Sequence, residues 1–167
     1  DFKVNLKLSG EEADSLRAQI LEEKEKAFKF FLDEAKSKNL SPKVIAKIKL
    51  SDIDPFEDDD EEEDVTIFKF KRKASFTKDT GEVIHFDVPL IDSKGKTIPD
   101  ADKPSIGNGS IIRVMAELVP YNMATSGVGV SLRLKKVQIK TLVEYSTDGP
   151  GFDACDGGYV QDGHDGD

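Results

Sequence analysis

The chain has 167 residues, a mass of 18.4 kDa and a formal charge of −9 from 33 acidic and 24 basic side chains. That length carries one domain with a real core, and no run approaches the ~18 apolar residues that a bilayer span requires, so no membrane association is expected. One cysteine, Cys155, and two histidines cannot build a zinc cluster or an internal disulfide, so no metal or cofactor is expected and a reducing compartment is the default.

The first residues, Asp1-Phe2-Lys3-Val4-Asn5-Leu6, alternate like a strand rather than a signal peptide, and the missing initiator methionine points to a fragment. This strand ends at Ser9, which has the capping-box spacing to Glu12 and should open a helix. Leu16, Ile20, Ala27, Phe31 and Ala35 recur near helical spacing as a core face, and Asn39 and Pro42 stop the helix after about Lys38. A face for a partner's groove is the weaker reading of the same residues. Residues 43–50 fit a strand or a short helix equally.

The run from Asp54 to Asp64 holds nine acids and no base, too many like charges to pack, and is expected to form a solvated, mobile loop. A calcium site lacks the turn-forming glycine there, and a nucleic-acid mimic is the other sharp alternative. From Val65 the period becomes two. Phe68, Phe70, Ala74 and Phe76 share one face, and Lys69, Lys71 and Lys73 share the other. A turn at Lys78-Asp79-Thr80-Gly81 and a second strand over 82–91, with Ile84, Phe86, Val88 and Leu90 inside, complete a long hairpin. Turns at 92–96 and 107–109 precede strands over 111–118 and 128–143. Regular strands, glycine turns and a single helix predict a small, curved, antiparallel barrel over residues 1–145, followed by a disordered Gly/Asp-rich tail over 146–167.

No catalytic constellation emerges, and a non-enzymatic protein is expected. Ser126 lacks a nucleophile elbow, His85 falls on the polar face of a strand, and the carboxylates stand in runs instead of framed pairs; a metal-dependent nuclease is the remote alternative. The stronger signal is electrostatic. Residues 65–140 carry 13 bases and seven acids, whereas residues 141–167 carry seven acids and no base. The basic residues Lys69, Lys71, Arg72, Lys73, Arg113, Arg133 and Lys135, with Lys136, spread over several strands, and Tyr121 and Phe76 are available beside them. Lysines on strands also simply keep sheets soluble. Cations for phosphates and rings for bases, on a curved sheet, make a surface for single-stranded nucleic acid.

Thr66-Ile67-Phe68-Lys69-Phe70-Lys71, Ala74-Ser75-Phe76, Asp92-Ser93-Lys94-Gly95-Lys96, Leu118-Val119-Pro120-Tyr121 and Val128-Gly129-Val130-Ser131-Leu132-Arg133-Leu134 resemble the single-stranded DNA-binding proteins of short-tailed, T-seven-like phages. The resemblance covers roughly residues 2–160. It implies an oligonucleotide/oligosaccharide-binding (OB) barrel with one long helix, a homodimer, and an acidic C-terminal tail that contacts phage DNA polymerase and primase–helicase. It also implies strand annealing and roles in replication, recombination and repair in the cytoplasm of an infected bacterium. Lys73 stands where the family carries an aromatic residue, while the Val-Pro-Tyr tyrosine is kept as Tyr121. A further N-terminal segment of the family is absent, and the tail stops at Asp167 without the family's terminal aromatic. The alternative function is an acidic protein-interaction or nucleic-acid-mimic module.

Overall fold

Strand β1 (Phe2–Ser9) turns Phe2, Val4, Leu6 and Leu8 inward and Lys3, Asn5 and Lys7 outward, in the computed structural model that describes residues 1–144. The acidic tail anticipated over 146–167, and Cys155, lie outside the described residues. Gly10 adopts the left-handed conformation (φ 63°) and swings the chain straight into helix α1 (Gly10–Ser37). Ser9 stands at the N-cap without a side-chain cap hydrogen bond, so the expected capping box does not form. It is still held in the β1 ladder opposite Val65, and Gly10 makes the turn instead.

Helix α1 buries Ala13, Ile20, Ala27 and Ala35 along one side, the spacing of a core face. Asn39 in the left-handed conformation (φ 54°) ends it, and Pro42 follows. The ambiguous stretch after it is neither strand nor helix throughout. One helical turn, α2 (Pro42–Ala46), is capped by the Ser41 hydroxyl, which accepts from the Val44 amide at 3.3 Å. Leu50 then bridges Val128 in an extended conformation.

The first part of the acidic run departs from the solvated, mobile loop expected of it, whereas residues 60–64 are exposed and lie outside any strand. Its start forms strand β2 (Phe56–Asp58), antiparallel to strand β3 (Val65–Arg72). Its carboxylates meet bases from three elements: Asp54 with Lys24 at 2.9 Å, Glu57 with Lys69 at 3.3 Å, Asp58 with Arg17 at 2.9 Å and Asp59 with Lys7 at 2.9 Å. Those bases converge only after folding, so like-charge repulsion within the run is offset by partners remote in sequence.

The long hairpin is also revised. Both edges of β3 are occupied, one by β1 and the other by β2 and then by strand β8 (Gly127–Thr141), leaving no edge for residues 82–91. Strands β4 (Ser75–Thr77) and β5 (Val83–His85) therefore form a separate two-stranded hairpin, and β6 (Leu90–Ile91) joins β8. Once the chain leaves the main sheet at Arg72 the alternation lapses. Phe76, expected inside with Phe68 and Phe70, is 50% exposed, while Phe68 and Phe70 are buried.

Strands β7 (Ile111–Met123) and β8 form a long antiparallel hairpin with a bulge, where Met115 faces Lys136 and Ala116 faces Leu134. Strand β8 runs parallel to both β3 and β6, so the sheet is mixed and not wholly antiparallel as expected. These two strands lie in succession along one edge of β8 and enter it in the same sense. The architecture is mainly β with one long helix. The core lies between the inner sheet face and α1, and is built from Ala13, Ile20, Phe68, Phe70, Val130, Leu132 and Leu134. No helix among the described residues is long and apolar enough to cross a membrane.

Candidate nucleic-acid interface

With the inner face committed to the core, alternation sends the intervening side chains of β1, β3 and β8 outward. The register places Lys3 opposite Lys71, Lys71 beside Arg133, and Arg133 opposite Glu117. Neighbouring strands lie about 4.8 Å apart. A row of three cations therefore crosses three strands and ends on one carboxylate. Lys3 was missed in the sequence. Its signal, the period of two in β1, was visible, but its neighbour across the sheet was not.

Glu117 is the acid at the β7 end of this row. It accepts from Lys135 Nζ at 2.9 Å and lies 3.7 Å from the Arg133 guanidinium. The hydrogen bond from Lys135, and then its charge, hold the Glu117 carboxyl below its ordinary value, with smaller contributions from Arg133 and Arg72. It therefore stays ionised at neutral pH.

Beside the row, where β3 ends and the β4–β5 hairpin projects, a cleft of about 410 Å³ is lined by Lys71, Arg72, Lys73 and Arg133 together with Asp1, Ser131 and the rings of Phe76 and Phe86. The Arg72 guanidinium lies over the Phe86 ring at 4.9 Å, a cation–π contact. Its Nε is buried and makes no hydrogen bond among the described residues. Phe86 N donates to Ala74 O at 2.8 Å, fixing the base of the hairpin.

Four of the eight residues singled out in the sequence thus meet at one cleft. The other four lie apart from it. Lys69 is engaged by Glu57, and Lys135 by Glu117. Arg113 faces Gln138, beyond the bulge and four residues along β7 from Glu117, roughly 13 Å at the rise of a strand. Tyr121 pairs with Gly129, and a Cβ at Gly129 would stand 2.6 Å from the tyrosine Cζ, so only glycine lets the ring lie flat against β8. Phe86, which strand alternation places inside, instead supports Arg72. His85 is exposed on β5.

An outward row of cations on a mixed sheet, with rings beside it, is a surface complementary to a polyanion. The family described as single-stranded DNA-binding protein, Bacteriophage T7, matches residues 1–144, and the chain belongs to it. Over 175 residues it is 34% identical to the single-stranded DNA-binding protein of Escherichia phage T7, spanning 97% of this chain and 72% of that protein. Against the corresponding protein of Enterobacteria phage T3 it is 34% identical over 173 residues, spanning 95% of this chain and 71% of that one. The crystal structure of gp2.5, a single-stranded DNA-binding protein encoded by bacteriophage T7, matches with a TM-score of 0.70 at 29% identity, over 91% of this chain and 81% of that one. These relatives are binders, and the chain is non-enzymatic.

Proposed function

We propose that the chain binds single-stranded DNA without sequence specificity, phosphates meeting the outward cations and bases stacking on exposed rings. The row Lys3–Lys71–Arg133 beside the cationic cleft carries this reading. The reading extends to an OB-type barrel, a homodimer, replication and recombination of phage DNA in the host cytoplasm, and recruitment of polymerase and primase–helicase through the acidic tail. The acidic mimic is disfavoured because four of the nine acids of the run, Asp54, Glu57, Asp58 and Asp59, engage the chain's own Lys24, Lys69, Arg17 and Lys7. Titrating a labelled oligonucleotide at several salt concentrations tests the proposal. Log affinity should fall linearly with log salt, by about 0.7 per phosphate contact on a single strand; binding indifferent to salt would exclude the cationic surface.

Glu117 occupies cations that the phosphates need, so Glu117→Gln should tighten binding roughly two- to fivefold at low salt, the modest size reflecting an exposed ion pair. The sign with pH follows from its lowered pKa. The ion pairs of Glu117 persist above its ordinary value and are lost as pH falls through the depressed one. The advantage of the glutamine variant should therefore shrink toward acid pH, which fluorescence titrations at neutral and acid pH would reveal. Equal affinity of the two proteins at neutral pH and low salt would show that Glu117 does not compete.

Tyr121→Ala should weaken binding by ~1–3 kcal/mol while leaving the salt slope unchanged, because stacking releases few counterions. Paired melting and binding curves check this. A large fall in melting temperature with intact affinity per folded molecule would make the ring a cover for Gly129 only.

A further inference from the structure

The bulge in the β7–β8 hairpin changes which residues of β8 face outward. Ala116 faces Leu134 and Met115 faces Lys136, so Lys135 is an extra residue without a partner on β7. Counted by twos from buried Leu132 and Leu134, residues 136, 138 and 140 would fall inside. The extra residue reverses that phase: Val137 and Ile139 are buried, and Lys136 and Lys140 are exposed. Lys135 is taken by Glu117 at 2.9 Å, whereas the side chains of Lys136, Lys140 and Arg113 make no ion pair among the described residues. Arg113 is opposite Gln138, so Lys136 and Lys140 are its diagonal neighbours, roughly 7–8 Å away across the pair.

Two further acids border this patch. Asp92 Oδ1 already accepts from the Lys94 and Lys96 amides at 2.9 Å, and Gln138 Nε2 ties that turn to β8 by donating to Asp92 O at 3.2 Å. Glu144 lies past the end of β8, bridged to Ile106. Between the cations, Ile111 and Met115 are 56% and 57% exposed. Lysines that only kept the sheet soluble would not call for open apolar side chains among them. A single strand presents phosphates and apolar base faces together, and this mixture fits it.

We propose that the DNA track does not end at Glu117 but turns and continues along β8, where Lys136, Arg113 and Lys140 take phosphates of the same strand. The proposal rests on the single-stranded DNA reading and adds a second contact segment to it. Arg133 and Lys140 are seven residues apart, roughly 20 Å at the rise of a strand, so only a strand longer than the row reaches the far end. The bulge joins the two segments: Lys135 neutralises the carboxylate that stands between them, and the reversed phase presents the cations beyond it.

The test compares the wild-type chain with the double variant Lys136→Ala and Lys140→Ala on oligothymidylates of about four and about sixteen nucleotides, the two ends of the range of site sizes for single-strand-binding barrels. On the longer strand the variant should bind about five- to thirtyfold more weakly at low salt, the equivalent of ~1–2 kcal/mol. Its salt slope there should be flatter by about 1.4. On the shorter strand, which the row accommodates, affinity and slope should match wild type, and that match also shows that the variant is folded. Lys136→Arg with Lys140→Arg should keep the wild-type slope on both strands. Lys29→Ala with Lys36→Ala removes the same charge from the exposed side of α1 and should leave both affinities unchanged. An unchanged slope on the longer strand, an equal loss on both lengths, or an equal loss in the α1 variant would overturn the extended track. Failure of the wild-type chain to bind either strand in a salt-dependent way would overturn the underlying reading instead.

Discussion

Replacing Lys71 and Arg133 together with alanine is expected to weaken single-stranded DNA binding about thirtyfold at low salt. The estimate takes ~1 kcal/mol for each exposed ion pair, the upper end of what such pairs contribute, and adds two of them. The salt dependence should change in a way that stability loss cannot imitate. Each phosphate contact on a single strand adds a slope of about −0.7, so the double variant should be flatter by about 1.4. Between 50 and 200 mM salt the wild-type chain should then lose roughly sevenfold more affinity than the variant. The two residues are side by side in the parallel pairing of β3 with β8, and both line the cleft. Oligonucleotide titrations at four or five salt concentrations measure slope and intercept together. An unchanged slope would reduce these side chains to solubilising charges on a sheet.

Lys69 is the instructive contrast, because its place in the sequence is equivalent to that of Lys71. The two share the outward face of β3, yet Lys69 lies 3.3 Å from Glu57 across the short β2 edge, while Lys71 faces Lys3 and Arg133. Period two shows which side of a strand a residue occupies. It cannot show which strand lies alongside, and that neighbour decides whether a cation is neutralised or reinforced. The helix, its stop at Asn39, the glycine turns at Gly81 and Gly95 and the presence of strands β7 and β8 were legible because each depends on residues a few positions apart. The break-up of the long hairpin, the pinning of the acidic run and the parallel entry of β6 were not, since each is set by competition among strands remote in sequence for one edge. The same holds within the site. Lys71, Arg72, Lys73 and Arg133 were singled out from their charge, but Lys3 and Phe86 gain their roles from register and from the departure of the chain at Arg72.

The cation row also depends on what lies behind it. Phe68 is fully buried, with Leu6 and Phe56 opposite it on the two flanking strands and the Phe56 ring centroid 5.9 Å away. It alternates with Lys69, and Phe70 with Lys71, so the same backbone that fills the core aims the cations. Phe68→Ala should cost about 3–5 kcal/mol, the transfer loss plus the cavity left when neither flanking strand can close the gap. Against a total stability of about 5–15 kcal/mol this is a large fraction. At ~2–4 °C per kcal/mol for a chain of this size, the thermal midpoint should fall by roughly 6–20 °C. Phe68→Leu should lose much less, because it keeps most of the volume. Well below the midpoint, affinity per folded molecule should equal that of the wild type, since no atom of Phe68 reaches the outer face. Calorimetry combined with titration at low temperature separates the two quantities. A loss of affinity per folded molecule as large as that for the Lys71 and Arg133 pair would mean that the core sets the spacing of the cation row and does not merely hold the sheet together.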